Sequence, residues 1–274
     1  MVFPPVLPTS PTDRSVLPLR DRVAVISGLV ALTTVAWVYM LYDAWTMQKM
    51  DMATMWMPPT GTGAWSATDF FLVFVMWAVM MVAMMVPSVT PMVMMFAAIN
   101  RQRRSRHQSH VPTVVFLVGY LVAWVSFSAV VTLLQWPLHA YSLLTPMMDN
   151  GSAVLGGIVL LVAGAYQWTP WKDACLHQCR TPLSFLMTEW REGITGALFM
   201  GIRHGVFCVG CCWALMLILF AVGVMNILWI LLIAGFVLLE KIVPVKPARF
   251  RMASGLVFFL WGLGLLAGTL VAAH

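Results

Sequence analysis

All five cysteines of this 274-residue chain lie between Cys175 and Cys212, 38 residues in all. They form two groups, Cys175-Leu-His177-Gln-Cys179 and His204-x3-Cys208-x2-Cys211-Cys212. Thiolate sulfur and imidazole nitrogen suit soft and borderline ions, with Cu(I) and zinc foremost. The clean C-x2-C pairs of a zinc finger are missing. Any one cysteine is more readily a small buried packing residue. Five in one short stretch, with two histidines interleaved, favour a shared metal site.

The second group has a geometric test. At roughly 100° per residue, with His204 at zero, Cys208 falls near 40°, Cys211 near −20° and Cys212 near 80°. One helix through them would present all four on a single face. In the first group, Thr169-Pro170 reads as an N-cap followed by proline at the first helical position. A helix there puts Cys175 and Cys179 on one face and turns His177 away from it. An extended backbone would instead align all three. Helix is preferred, with Cys175 and Cys179 as the ligands and His177 the weaker candidate.

Methionine is the second soft ligand, and there are 22. Met47, Met50, Met52, Met55 and Met57 crowd one segment, and Met76, Met80 and Met84 recur every four residues further on. Thioether sulfur binds Cu(I) without losing a proton. The same residue is a flexible apolar filler, so a packing role competes at each position. Met80 and Met84 are the candidates on this stripe. Glu240 is the one acid within the apolar runs, beside Lys241, and is a further candidate ligand or ion-pair partner. Asp173 lies close to the first cysteine group, while His139 is isolated on the other side. There is no nucleophile elbow, phosphate-binding glycine loop or zinc-protease helix motif.

These residues must be held by membrane helices. Hydrophobic residues make up 61% of the chain and charged ones 9%, against about 25% charged in a soluble domain. That excludes a soluble enzyme and a disordered chain. The net charge of +6 sits in loops and is no nucleic-acid signature. Seven apolar runs approach the roughly 20 residues of a spanning helix: 23–42, 70–99, 111–136, 153–168, 205–222, 227–243 and 253–273. Fifteen of the sixteen Lys and Arg residues then fall on alternate sides, Lys49 being the exception. The positive-inside rule places the N-terminus in the cytoplasm and the C-terminus outside. The expectation is an all-α polytopic transmembrane helix bundle of about seven spans. It comprises a disordered tail (1–20) and one helical domain (21–274). A Met-rich outer loop (43–69) and an inner Cys/His-bearing loop (169–204) belong to that domain. Pro87 and Pro91 predict a kinked or broken second span. A reducing cytoplasm would keep the inner thiols free of disulfides.

The segment Tyr166–Pro182 carries the first cysteine group. The segment Gly201–Met216 carries the second, with Met225-Asn226-x2-Trp229 and Glu240-Lys241 following. Met80-Met-Val-Ala-Met-Met-Val-Pro-Ser88 precedes both. Together these resemble a bacterial domain-of-unknown-function family described as predicted metal-binding integral membrane proteins, from about residue 69 onward. The resemblance implies a membrane protein with a metal site and supports Cys175, Cys179, His204, Cys208, Cys211, Cys212 and Glu240 as functional positions; the expected location is the bacterial inner membrane, multi-pass. The resemblance implies no secure activity.

Three functions follow as expectations. The first is Cu(I) binding, transfer or transport through methionine and Cys/His ligands, with zinc the alternative ion. The second is a membrane copper oxidoreductase acting on an apolar substrate, for which thirteen tryptophans and fifteen phenylalanines offer pocket walls. The third is a structural subunit of a larger membrane complex. Expected partners are the lipid bilayer, a partner membrane subunit or metal chaperone, and further copies in a homo- or hetero-oligomer.

Overall fold

A computed structural model describes residues 18–49, 58–59, 65–145, 148, 151–242 and 247–272. The expected tail and Met50, Met52, Met55 and Met57 of the outer loop lie outside the described residues, as does the Met47 side chain. Among the described residues the regular structure is helical: α1 (Leu19–Lys49), α2 (Ala67–Ser105), α3 (Thr113–Ala140), α4 (Ala153–Gln167), α5 (Pro170–Arg180), α6 (Pro182–Glu189), α7 (Gly193–Leu217), α8 (Leu219–Val222), α9 (Ile227–Ile242) and α10 (Pro247–Ala272).

Five helical stretches are long and apolar enough to cross a membrane: α1, α2, α3, α7 continued through α8, and α10. α4 and α5 make a sixth only if counted together, because they meet at a 67° bend. α9 has 16 residues, about 24 Å at 1.5 Å each against a hydrocarbon core of roughly 30 Å. Over its described residues each of the seven apolar runs lies largely in a helix, while the count of full spans by length is five to six. The stretch expected as an inner loop folds as α5, α6 and the first three turns of α7.

Local signals explain the helix ends. Ser66 and Asp69 form a reciprocal capping box at the start of α2, with Ser66 N donating to Asp69 Oδ2 at 2.7 Å. Thr169 Oγ1 accepts from Lys172 N at the start of α5, with Pro170 in the first turn. α2 continues as one helix through Pro87 and Pro91. The Ala83 carbonyl, freed by the ring of Pro87, accepts from Trp37 Nε1 of α1 at 3.1 Å. This bond restores the lost backbone partner and fastens α1 to α2.

Two glycine-mediated crossings set the frame. A Cβ on Gly201 of α7 would overlap the Phe116 carbonyl of α3, and one on Gly119 would overlap Leu198 O. The two backbones therefore touch, as small residues permit between membrane helices. Gly157 and Gly164 of α4 likewise face Gly262 and Gly255 of α10, at a somewhat wider separation. The first crossing places Tyr120 of α3 against the second cysteine group.

Candidate metal site

α7 runs unbroken through the second cysteine group. His204, Cys208, Cys211 and Cys212 all project inward and are buried. The stripe of sulfur expected from the helical spacing is therefore a feature of the folded chain. Cys211 Sγ and Cys212 Sγ both donate back to the Cys208 carbonyl, at 3.1 and 2.9 Å.

Cys208 is the most heavily engaged thiol. Its Sγ accepts from Lys241 Nζ of α9 at 2.9 Å and lies 3.1 Å from the Tyr120 hydroxyl. Lys241 Nζ also donates to Ser88 Oγ of α2 at 2.9 Å, and the Tyr120 hydroxyl donates to Met85 O at 3.2 Å. Groups from α3 and α9 thus meet one sulfur of α7, and α2 holds both of those groups. A charge-assisted bond from ammonium to sulfur is the stronger kind, and it suits the thiolate form that binds metals.

α5 lies across α7 and supplies the first cysteine group. Cys179 Sγ stands 4.0 Å from Cys211 Sγ. Cys175 Sγ packs over Gly210, where a Cβ would come within 2.8 Å of it. Cys175 and Cys179 are half-buried, and His177 points to the exposed side, as the helical spacing of this segment predicts. On α5, hydrogen bonding with Cys208 and Cys211, added to burial, pushes the Cys179 thiol well above its ordinary value. Burial, with Cys211 nearby, pushes up that of Cys175. Both thiols therefore hold their protons at neutral pH until something displaces them.

His204 sits one turn before Cys208 among the rings of Phe185, Tyr120 and Phe116, at centroid distances of 5.2, 6.0 and 6.1 Å. Its Nδ1 is buried and has no hydrogen-bond partner among the described residues. Glu240 is paired with a cation: its Oε2 accepts from Lys172 Nζ at 2.8 Å, both side chains being at most 2% exposed. Met80 and Met84 are buried on the inward side of α2. The bonds that tie α2 to the site run through Met85 O and Ser88 Oγ instead.

Three parts of this arrangement escaped the sequence. Lys241 and Lys172 look like ordinary loop-end cations in a positive-inside count, yet Lys172 is fully buried and Lys241 is 8% exposed. Tyr120 is one of five tyrosines and carries no spacing signal. The usable clue was the pair Glu240-Lys241 at the end of an apolar run, where buried charge demands partners.

The donor set fits a two-sulfur site. Among the described residues no three Cys, His, Asp or Glu side chains converge on a common metal position. Two soft donors suit Cu(I), whereas structural zinc takes four ligands.

No curated protein and no solved structure matches the chain. Residues 74–265, about seven tenths of the sequence, match the model of the family described as PpoB2, copper chaperone. This stretch contains every cysteine, His204, Lys172, Glu240 and Lys241. The chain belongs to the PpoB2 copper chaperone family.

Proposed function

We propose that the protein is a membrane-embedded Cu(I) chaperone that carries the ion between Cys179 and Cys211. The observation behind this reading is the 4.0 Å Sγ–Sγ separation of two thiols borne on different helices. Copper is cargo here. Two thiolates and one Cu(I) leave a net charge of −1, and Lys241, hydrogen-bonded to the adjoining Cys208, supplies the balancing charge in a low-dielectric interior. Cys208 and the unpartnered His204 Nδ1, one turn away, are the next donors to which the ion moves. Half-buried Cys175 and Cys179 give a partner's thiol access from the α5 side. Release then follows ligand exchange, sulfur for sulfur.

The seven apolar helices cross the bacterial inner membrane, with α4 and α9 as short spans packed among longer neighbours. The N-terminus faces the cytoplasm, in line with the alternating Lys and Arg positions. The thiol site then lies near the cytoplasmic face. Met76, Met80 and Met84, buried along α2, provide soft donors on the way from the outer side. The recipient is a copper-accepting membrane subunit or soluble metal carrier.

The test is anaerobic titration of the purified full chain with Cu(I) against a chromophoric Cu(I) chelator, with elemental analysis. One Cu(I) per chain is expected, lost in Cys179→Ser and in Cys211→Ser. Retention of the ion by both variants would rule out the pair.

A further inference from the structure

The buried ion pair between α5 and α9 lies outside the two-thiol pair proposed above. Lys172 Nζ and Glu240 Oε2 are 2.8 Å apart, and neither side chain is more than 2% exposed. As a source of stability such a pair is poor, because desolvating two charges offsets most of their attraction. What it does supply is position. α5 has 11 residues, too few to hold its own orientation, and it leaves α4 at a 67° bend. Its rotation against α7 must be set by contacts.

Lys172 and Cys179 are seven residues apart, so they share a helix face to within about 20°. The ion pair therefore acts on the side of α5 that carries the thiol. A second tie follows at the end of the helix, where Arg180 Nε donates to the Glu240 carbonyl at 2.7 Å. One residue of α9 thus anchors α5 at both ends. The next residue, Lys241, anchors Cys208 of α7. The dipeptide Glu240-Lys241 is a common reference for the two helices whose sulfurs face each other.

We infer that the Lys172–Glu240 ion pair is a positioning device that holds α5 in register so that Cys179 stands opposite Cys211. The inference rests on the copper-site reading above, but the spacing it explains can be measured without copper. In the full chain in lipid nanodiscs, copper-free diamide converts the two thiols to a disulfide and is itself reduced to the hydrazine. Mass spectrometry of the Cys179–Cys211 peptide gives the rate. The variants are Lys172→Arg, which keeps the pair, and Lys172→Met/Glu240→Met, which removes both charges and leaves neither unpaired.

The double variant is expected to fold, with its thermal midpoint close to that of the parent. It should form the disulfide about tenfold more slowly or worse, and its Cu(I) affinity should fall roughly 10- to 100-fold, as for partners that orient metal ligands. Lys172→Arg should retain both properties. A double variant that crosslinks at the parental rate overturns the inference. If it does not fold, Lys172→Met/Glu240→Gln serves instead, and an unchanged rate there overturns the inference equally. If the crosslinking results hold while the parent binds no Cu(I), the copper reading falls and the positioning role stands.

Discussion

Cys208 illustrates how much one side chain can organise. Its sulfur meets an ammonium and a phenol, while its carbonyl receives two further thiols. Replacing Lys241 with Met removes the charge that balances an anionic copper–thiolate unit. Cu(I) affinity should fall about 10- to 100-fold, measured by chelator competition. Tyr120→Phe removes the hydroxyl that meets both Met85 O and Cys208 Sγ and should cost about 1–2 kcal/mol of stability, read from the thermal midpoint. The raised thiol of Cys179 gives a pH dependence with a definite sign. A group held protonated in the empty site must release its proton when the ion binds. Apparent Cu(I) affinity should therefore climb from pH 6 to pH 8 by up to about tenfold per unit for each proton released, and uptake in weak buffer should acidify the solution. An affinity flat across that range would mean that Cys179 is not a ligand.

At the scale of helices, the α3–α7 crossing carries the site. Gly119 and Gly201 allow the two backbones to touch, which brings Tyr120 to Cys208. Gly201→Leu should push the helices apart and cost about 1–3 kcal/mol or more, read as a lower thermal midpoint. Because the separation shifts Tyr120, copper affinity should fall with it. The α1–α2 contact offers a contrast. Trp37→Phe removes the donor to Ala83 O and should cost about 1 kcal/mol, while copper affinity stays at the parental value, since the bond lies outside the thiol cluster. A matching loss of affinity in Trp37→Phe would show that α1 participates in the site.

At the scale of the molecule the question is topological. α4 and α9, with 15 and 16 residues, reach about 22 and 24 Å. Short helices cross when the bilayer thins around them or neighbours shield their ends. Seven crossings put the two termini on opposite sides, and six put them on the same side. Reporter fusions at each terminus separate these: a cytoplasm-active N-terminal reporter with an outside-active C-terminal one is expected. Two reporters active on the same side would remove one of the short helices from the span count.

The linear order of residues was enough to establish the helical membrane character, the approximate places of all seven apolar helices, and the common face of His204, Cys208, Cys211 and Cys212. Hydrophobic run length and helical periodicity are local properties, and they survive in one dimension. The Thr169-Pro170 start of α5 was legible for the same reason. What folding alone decided is which distant groups meet. Lys241 finds Cys208 across 33 positions, Lys172 finds Glu240 across 68, and Cys179 finds Cys211 across 32. No periodicity encodes those encounters. They follow from the close approach of glycine-bearing helices and from the need of each buried charge for a partner, and both are settled only when the helices pack.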